Sequence, residues 1–137
     1  MKLSITYAEL QDYVARHYHK NVNLGYVNES TVSVSVPIKV LGFTKQISIK
    51  LIVKKIEGSD LFLAYDGKMG IEMLVTPAVS FAKKLVPEKS DWIEVLADNV
   101  IRLRLGDIDK LKKAFEKVEL KSICFEQEKA CIGIGLL

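Results

Sequence analysis

The chain has 137 residues, of which 49% are hydrophobic and 27% are charged, and it contains few Gly and Pro. The length fits a single domain, 1–137, and the composition is that of a globular protein, so we expect no disorder except at the ends. The net charge of +3 is too small to indicate a nucleic-acid partner by itself, and we expect none.

The N-terminus carries no recognisable targeting segment. An acidic residue, Glu9, occurs before any apolar run develops, which is not the pattern of a signal peptide. No stretch approaches the ~18 consecutive apolar residues that a transmembrane helix requires. We therefore expect no transmembrane segment and a cytoplasmic location for the chain as written, or an envelope location if a leader has been removed.

The first predicted element is an amphipathic helix that begins after Thr6. Thr6 and Glu9 form the sequence pattern of a capping box, in which Thr6 is the N-cap residue. The helix is expected to end near residues 20–21, and its apolar residues recur at spacings of three and four: Tyr7, Leu10, Val14 and Tyr18.

A series of alternating segments follows between residues 30 and 65. Apolar residues occupy every second position in three runs: Val32 to Val40, Ile47 to Val53, and Leu61 to Tyr65. This period predicts antiparallel strands with one apolar face and one solvated face. The apolar side of the first helix is the expected cover for the apolar face.

The second half of the chain predicts further helices and strands. Thr76 and Pro77 are typical of the start of a second helix, which Pro87 ends. Residues 91–98 are ambiguous between a helical turn and a strand, whereas residues 100–105 alternate and predict a strand with Arg102 and Arg104 facing solvent. A third helix is predicted from Asp107, and its apolar residues are Ile108, Leu111, Phe115 and Val118.

The last nineteen residues predict a β-hairpin that turns at residues 127–128. Folding the chain there sets Cys124 opposite Cys131. The pair could form a cross-strand disulfide or remain two reduced thiols, and we favour reduced thiols because no secretion signal is evident. The complete order of elements predicts an α+β protein with an antiparallel sheet.

No residue pattern indicates catalysis or a metal site. His17 and His19 would point in different directions on a helix, and the two cysteines have no nearby histidine. Nucleophile-elbow and phosphate-binding motifs are not found in the sequence. We expect a protein that is not an enzyme and needs no cofactor.

Lysines dominate the charge of the central strands. Five of them lie between Glu29 and Glu57 with no acidic residue among them: Lys39, Lys45, Lys50, Lys54 and Lys55. One interpretation is a cationic surface that meets anionic lipid headgroups or nucleic acid; the other is a solvated sheet face whose edges lysine protects against aggregation. We favour the second interpretation, since the lysines are accompanied neither by arginine nor by regular aromatic interleaving.

The segment from Ser4 to His17, Ser-Ile-Thr-Tyr-Ala-Glu-Leu-Gln-Asp-Tyr-Val-Ala-Arg-His, resembles the first helix of a bacterial lipoprotein family with a tubular lipid-binding (TULIP-like) fold. Glu9, Leu10, Tyr13 and Val14 hold the positions of that family's pattern. The resemblance implies a curved antiparallel β-sheet wrapped around the N-terminal amphipathic helix, with two further short helices and an apolar groove for acyl chains. The signal peptide and lipid-attachment cysteine of the family are missing here.

Two functional hypotheses follow. The first is non-enzymatic binding of a lipid or another elongated apolar ligand in a groove between sheet and helix, which suits a pocket with few polar groups. Its lining would be Leu10, Val14, Tyr18, Val34, Val36, Ile49, Leu51 and Leu63. The alternative is a protein-interaction module, in which the uncovered apolar sheet face or a strand edge forms a homodimer or a partner complex.

Overall fold

The computed structural model describes residues 1–66 and 92–137, and its strands form two antiparallel sheets. The strands are β1 (Lys2–Thr6), β2 (Asn23–Asn28), β3 (Thr31–Val40), β4 (Phe43–Glu57), β5 (Asp60–Asp66), β6 (Ile93–Leu96), β7 (Val100–Arg104), β8 (Val118–Phe125) and β9 (Lys129–Leu136). The three-stranded sheet has the order β1-β9-β8, and the six-stranded sheet has the order β2-β3-β4-β5-β7-β6. The helices are α1 (Tyr7–Tyr18) and the four-residue α2 (Asp109–Lys112).

The predicted fold, a curved sheet wrapped around the N-terminal helix with two further short helices, is wrong. The described residues are mostly antiparallel β-structure, and α1 is the one helix of seven or more residues among them. The physical reason lies in β1, which pairs with β9 along its whole length, from Lys2 opposite Gly133 to Thr6 opposite Lys129. The C-terminal hairpin therefore forms a sheet with the N-terminal strand. The second predicted helix, at residues 77–86, lies outside the described residues.

The predicted third helix is replaced by short turns and a strand. Leu105–Asp107 and Ala114–Glu116 are 3-10 turns on either side of α2, and the residue at the N-cap of α2 is Ile108, which makes no side-chain cap. Val118, which was expected at the end of the helix, begins β8 and lies opposite Leu136. The pairing of β8 with β9 gives Val118 and the residues after it strand partners, whereas a helix of this length is only marginally stable without tertiary packing.

Helix α1 begins after Thr6 as predicted and ends at Tyr18, slightly before the expected residues 20–21. The Thr6 hydroxyl accepts a hydrogen bond from the Glu9 N–H at 3.0 Å, and the Glu9 carboxylate accepts one from the Thr6 N–H at 3.2 Å. At the other end His19 adopts the left-handed conformation and donates its N–H to the Ala15 carbonyl at 3.1 Å. Both ends of the helix are thus satisfied by local groups.

The core lies around β5, which is flanked by β4 and β7. The five residues from Leu61 to Tyr65 are all buried, so both faces of this strand are covered. A second cluster closes one end of the sheet, where Trp92, Ile93 and Ile108 pack against Ile101, Leu103 and Leu105. The chain after β7 is therefore held by apolar packing despite its short helices.

The six-stranded sheet carries an ion-pair network on the face opposite to Ile101 and Leu103. The Arg102 guanidinium donates to the Asp60 carboxylate through Nε and Nη2, and the Arg104 guanidinium contacts Glu94 at 2.8 Å. The Lys55 ammonium lies 4.6 Å from the centre of the Phe62 ring. Arg102 and Arg104 were expected to face solvent, but both are half-buried by these contacts.

Candidate apolar binding face

The strand residues of the predicted site lie on a single face of the six-stranded sheet. Val34 lies directly opposite Ile49, Val36 opposite Ile47, and Leu51 opposite both Val32 and Tyr65. Leu63 lies opposite Val53 and Ile101. Directly opposed residues in antiparallel strands share a face, so Val34, Val36, Ile49, Leu51 and Leu63 form one apolar surface, as the alternation predicted.

The residues of this surface differ in their exposure. Val36 and Leu63 are buried, whereas Val34, Ile49 and Leu51 are only half-buried. We call these last three residues the aliphatic row; they lie side by side on β3 and β4. Aliphatic side chains in the middle of a sheet normally lose almost all contact with water, so the row keeps accessible apolar area.

The helical residues of the predicted site lie beside the edge strand β2. The main contacts of α1 are with β1 and β2, and the Gln11 side-chain oxygen accepts a hydrogen bond from the Leu24 N–H at 2.7 Å. Leu10 is 37% exposed and Val14 is half-buried, and Tyr18 is the last residue of the helix. Leu24 lies opposite Val34, so this edge strand connects the helix to the aliphatic row.

Cys124 and Cys131 lie directly opposite each other in the hairpin, as predicted, and both are free thiols. The Cys131 thiol donates a hydrogen bond to the Glu126 carboxylate at 3.0 Å, and the Tyr7 hydroxyl donates one to the Glu126 carbonyl at 2.6 Å. The hydrogen bond to Glu126, together with burial, raises the pKa of the Cys131 thiol. This arrangement keeps Cys131 protonated, and a protonated thiol is a poor nucleophile.

The histidines have local structural surroundings. His17 lies beside the ring of Tyr13, with 4.4 Å between the ring centres, and His19 ends α1. Within residues 1–66 and 92–137, no group of three or more His, Cys, Asp or Glu side chains is placed to hold a metal ion. No helix in the same residues is both long enough and apolar enough to cross a membrane.

A second exposed apolar feature was missed by the sequence analysis. The β3–β4 ladder continues to the pair Val40–Phe43, whereas β2 pairs with β3 only up to Ser35 and β5 pairs with β4 only from Lys50. Residues 41–46, which we call the ribbon tip, are all exposed, and Leu41 and Phe43 are 93% and 77% exposed. The signal in the sequence was Gly42, which lies between the alternating run that ends at Val40 and the run that begins at Ile47.

Comparison of the chain with protein-family models, with curated proteins and with solved structures found no match. The resemblance of the first helix to the TULIP-like family therefore stays a prediction.

Proposed function

We propose that this protein is a non-enzymatic binding module that holds a lipid or another elongated apolar molecule along the apolar face of the six-stranded sheet. The observation that carries this proposal is the aliphatic row, which stays half-buried although its neighbours Val36 and Leu63 are buried. Covering such a row stabilises a complex by about 25 cal/mol for each Å² of apolar area removed from water. An acyl chain supplies that cover without needing polar partners.

The strand edges favour binding on the face over pairing at an edge. Residues 1–66 and 92–137 contain four edge strands, and three of these carry features that disfavour further pairing. The Gln11 side chain occupies the Leu24 N–H on β2, β6 has only four residues, and the ladder of β8 is interrupted at Lys121 by a bulge. A partner that adds a strand at these edges is therefore disfavoured, whereas the aliphatic row on the sheet face keeps accessible apolar area.

Native mass spectrometry on gently purified protein, followed by organic extraction, tests the proposal. We expect an additional mass that solvent releases as a lipid, and we expect the protein to bind a fluorescent fatty acid. Ile49→Gln places an amide in the aliphatic row and should remove the bound mass and the probe signal. Lys50→Gln introduces the same side chain at the next residue on the opposite, exposed face and should leave both unchanged.

Three outcomes of these experiments lead to different conclusions. Loss of ligand in Ile49→Gln but not in Lys50→Gln supports binding on this face. A protein that carries no additional mass and binds none of a series of fluorescent fatty acids would contradict the proposal. Equal loss in both variants, with circular dichroism spectra that match the wild type, would place the ligand elsewhere.

A second candidate function is a homodimer formed through β1. Among the four edge strands of the described residues, β1 is the exception, because it shows none of these three features and carries the half-exposed Leu3. A second copy could add its own β1 there. Light scattering distinguishes the two functions: a stable dimer that Leu3→Lys converts to a monomer would favour the interaction module.

A further inference from the structure

The ribbon tip turns through a backbone conformation that does not suit its sequence. Leu41 has φ +52° and Gly42 has φ +84°, so both central residues of this two-residue turn have positive φ. Turns of this kind strongly prefer Asn, Asp or Gly at both positions, because a side chain with a bulky Cβ substituent crowds the backbone there. Leucine at the first position is therefore strained.

The other positive-φ residues of the described chain follow the usual preference. They are His19, Asp98, Asn99 and Gly58. His, Asp and Asn tolerate this conformation, and Gly adopts it freely. Leu41 is the exception, and at 93% exposure it gains almost no packing within the chain that would offset the strain. A residue that violates a local rule without an internal gain is expected at a functional site.

The chemistry of the ribbon tip is apolar and cationic together. Phe43 is 77% exposed, and Lys45, two residues further along β4, lies on the same face and is also exposed. No acidic residue occurs in the sequence between Glu29 and Glu57. An aliphatic and an aromatic side chain with a neighbouring lysine form the combination that partitions into the interface of a bilayer with anionic headgroups.

We propose that the ribbon tip docks this protein on an anionic lipid surface. Leu41 and Phe43 enter the boundary between headgroups and acyl chains, and Lys45 stays at the level of the phosphates. Nucleic acid fits less well, because Phe43 offers a ring for stacking but the more exposed Leu41 at the apex offers none. This inference goes beyond the proposed function: its ligand is a membrane surface, and it does not depend on the aliphatic row.

Cosedimentation of the full chain with sucrose-loaded vesicles tests the inference. One set of vesicles consists of phosphatidylcholine, and in the other set part of it is replaced by phosphatidylglycerol. We expect binding to increase with phosphatidylglycerol and to fall at high salt. Leu41→Asn should weaken binding about tenfold, the effect of removing one apolar side chain from the interface. Lys45→Gln should weaken binding to the anionic vesicles about fivefold.

The matched control is Leu136→Asn, which removes an equally apolar side chain that is 77% exposed at the end of β9. It should leave vesicle binding unchanged. The Leu41→Asn variant is also informative about folding, because Asn suits the turn and the variant should be at least as stable as the wild type. Loss of binding in a variant with wild-type stability or better does not result from unfolding.

Several outcomes would overturn the inference. They are the absence of binding to either set of vesicles, binding that Leu41→Asn leaves intact, and equal loss in Leu136→Asn. A dimer in light scattering that Leu41→Asn converts to a monomer would instead assign the ribbon tip to contact with a second copy. The test is independent of ligand uptake: Ile49→Gln should bind vesicles normally, and Leu41→Asn should retain the bound mass in native mass spectrometry.

Discussion

At the scale of single residues, we expect the positive φ of Leu41 to lower the stability of the protein. Replacing it with Asn relieves a positive-φ conformation (+52°) that costs a leucine about 1 kcal/mol. Because Leu41 is almost fully exposed, little packing is lost. We expect Leu41→Asn to raise the free energy of unfolding by about 0.5–1 kcal/mol and the melting temperature by about 3 °C, measured by urea and thermal denaturation.

The reverse substitution in the β6–β7 turn provides the control. Asn99 has φ +59°, so Asn99→Leu should lower the free energy of unfolding by a similar amount. If Leu41→Asn proves less stable than the wild type, then Leu41 makes a contact within the folded chain and is not strained.

Cys131 gives a second test at the residue scale. Its pKa is raised first by the hydrogen bond to Glu126 and then by burial, and the carboxylate disfavours the thiolate. In a Cys124→Ser background, we expect Glu126→Gln to lower the pKa of Cys131 and to speed its alkylation by iodoacetamide near pH 8. Glu128→Gln, which removes an exposed charge on the same turn, should leave the pH profile of the reaction in place. Equal effects of both variants would show that the hydrogen bond is unimportant.

At the scale of elements, the capping box of α1 predicts a loss of stability at low pH. The hydrogen bonds from the Thr6 hydroxyl and N–H lower the pKa of Glu9 below its usual value of 4.5. A carboxyl group whose pKa is lower in the folded state stabilises the protein above its unfolded pKa, and this stabilisation is lost as the pH falls through the folded pKa. The helix should therefore weaken below about pH 4.5.

Thr6→Ala isolates the contribution of the cap. The variant should lose about 1 kcal/mol of unfolding free energy at neutral pH. The acid dependence that Glu9 contributes should also become smaller, because the hydroxyl is gone and only the hydrogen bond from the backbone N–H still lowers the pKa of Glu9. Ser4→Ala, at an exposed position of the same strand, is the control and should change neither quantity. An unchanged acid dependence in Thr6→Ala would contradict this interpretation.

The elements that were predicted correctly depend on local signals. Thr6 and Glu9 are three residues apart, and the hairpin that sets Cys124 opposite Cys131 closes over a short turn. The prediction of the third helix was wrong. Its apolar stripe, from Ile108 to Val118, overlaps the alternating pattern that begins β8, and pairing with β9 favoured the strand at Val118. Strand β1 carries only Leu3 and Ile5 as an alternating signal, and its partner lies at the far end of the chain.

The candidate site could likewise be predicted only where local patterns determine it. Alternation in β3 and β4 places Val34, Ile49 and Leu51 on one face, as the register confirms. It says nothing about which of these residues other elements cover, because burial depends on contacts between distant segments. The ribbon tip was missed for a related reason: Gly42 indicates a turn, but the positive φ of Leu41 follows from the pairing of Val40 with Phe43.

At the scale of the whole molecule, the two sheets differ in how well they are protected. Strand β5 has a strand on each side and buried residues on both faces, whereas most apolar residues of the three-stranded sheet are half-buried. The backbone bond from the Phe125 N–H to the Glu29 carbonyl, at 2.8 Å, joins β8 to the β2–β3 turn. Regions with fewer buried contacts open with a smaller free energy than the core.

We therefore expect native-state hydrogen exchange to divide the chain into two groups. The amides of β1, β8 and β9 should exchange with a lower free energy and a smaller dependence on denaturant than those of Leu61 and Leu63 in β5, because opening the small sheet exposes less surface. Mass spectrometry of peptic fragments or NMR resolves the two sheets. If all protected amides exchange with one free energy and one denaturant slope, then the two sheets unfold as a single unit, and the bond between Phe125 and Glu29 belongs to an interface stronger than its burial indicates.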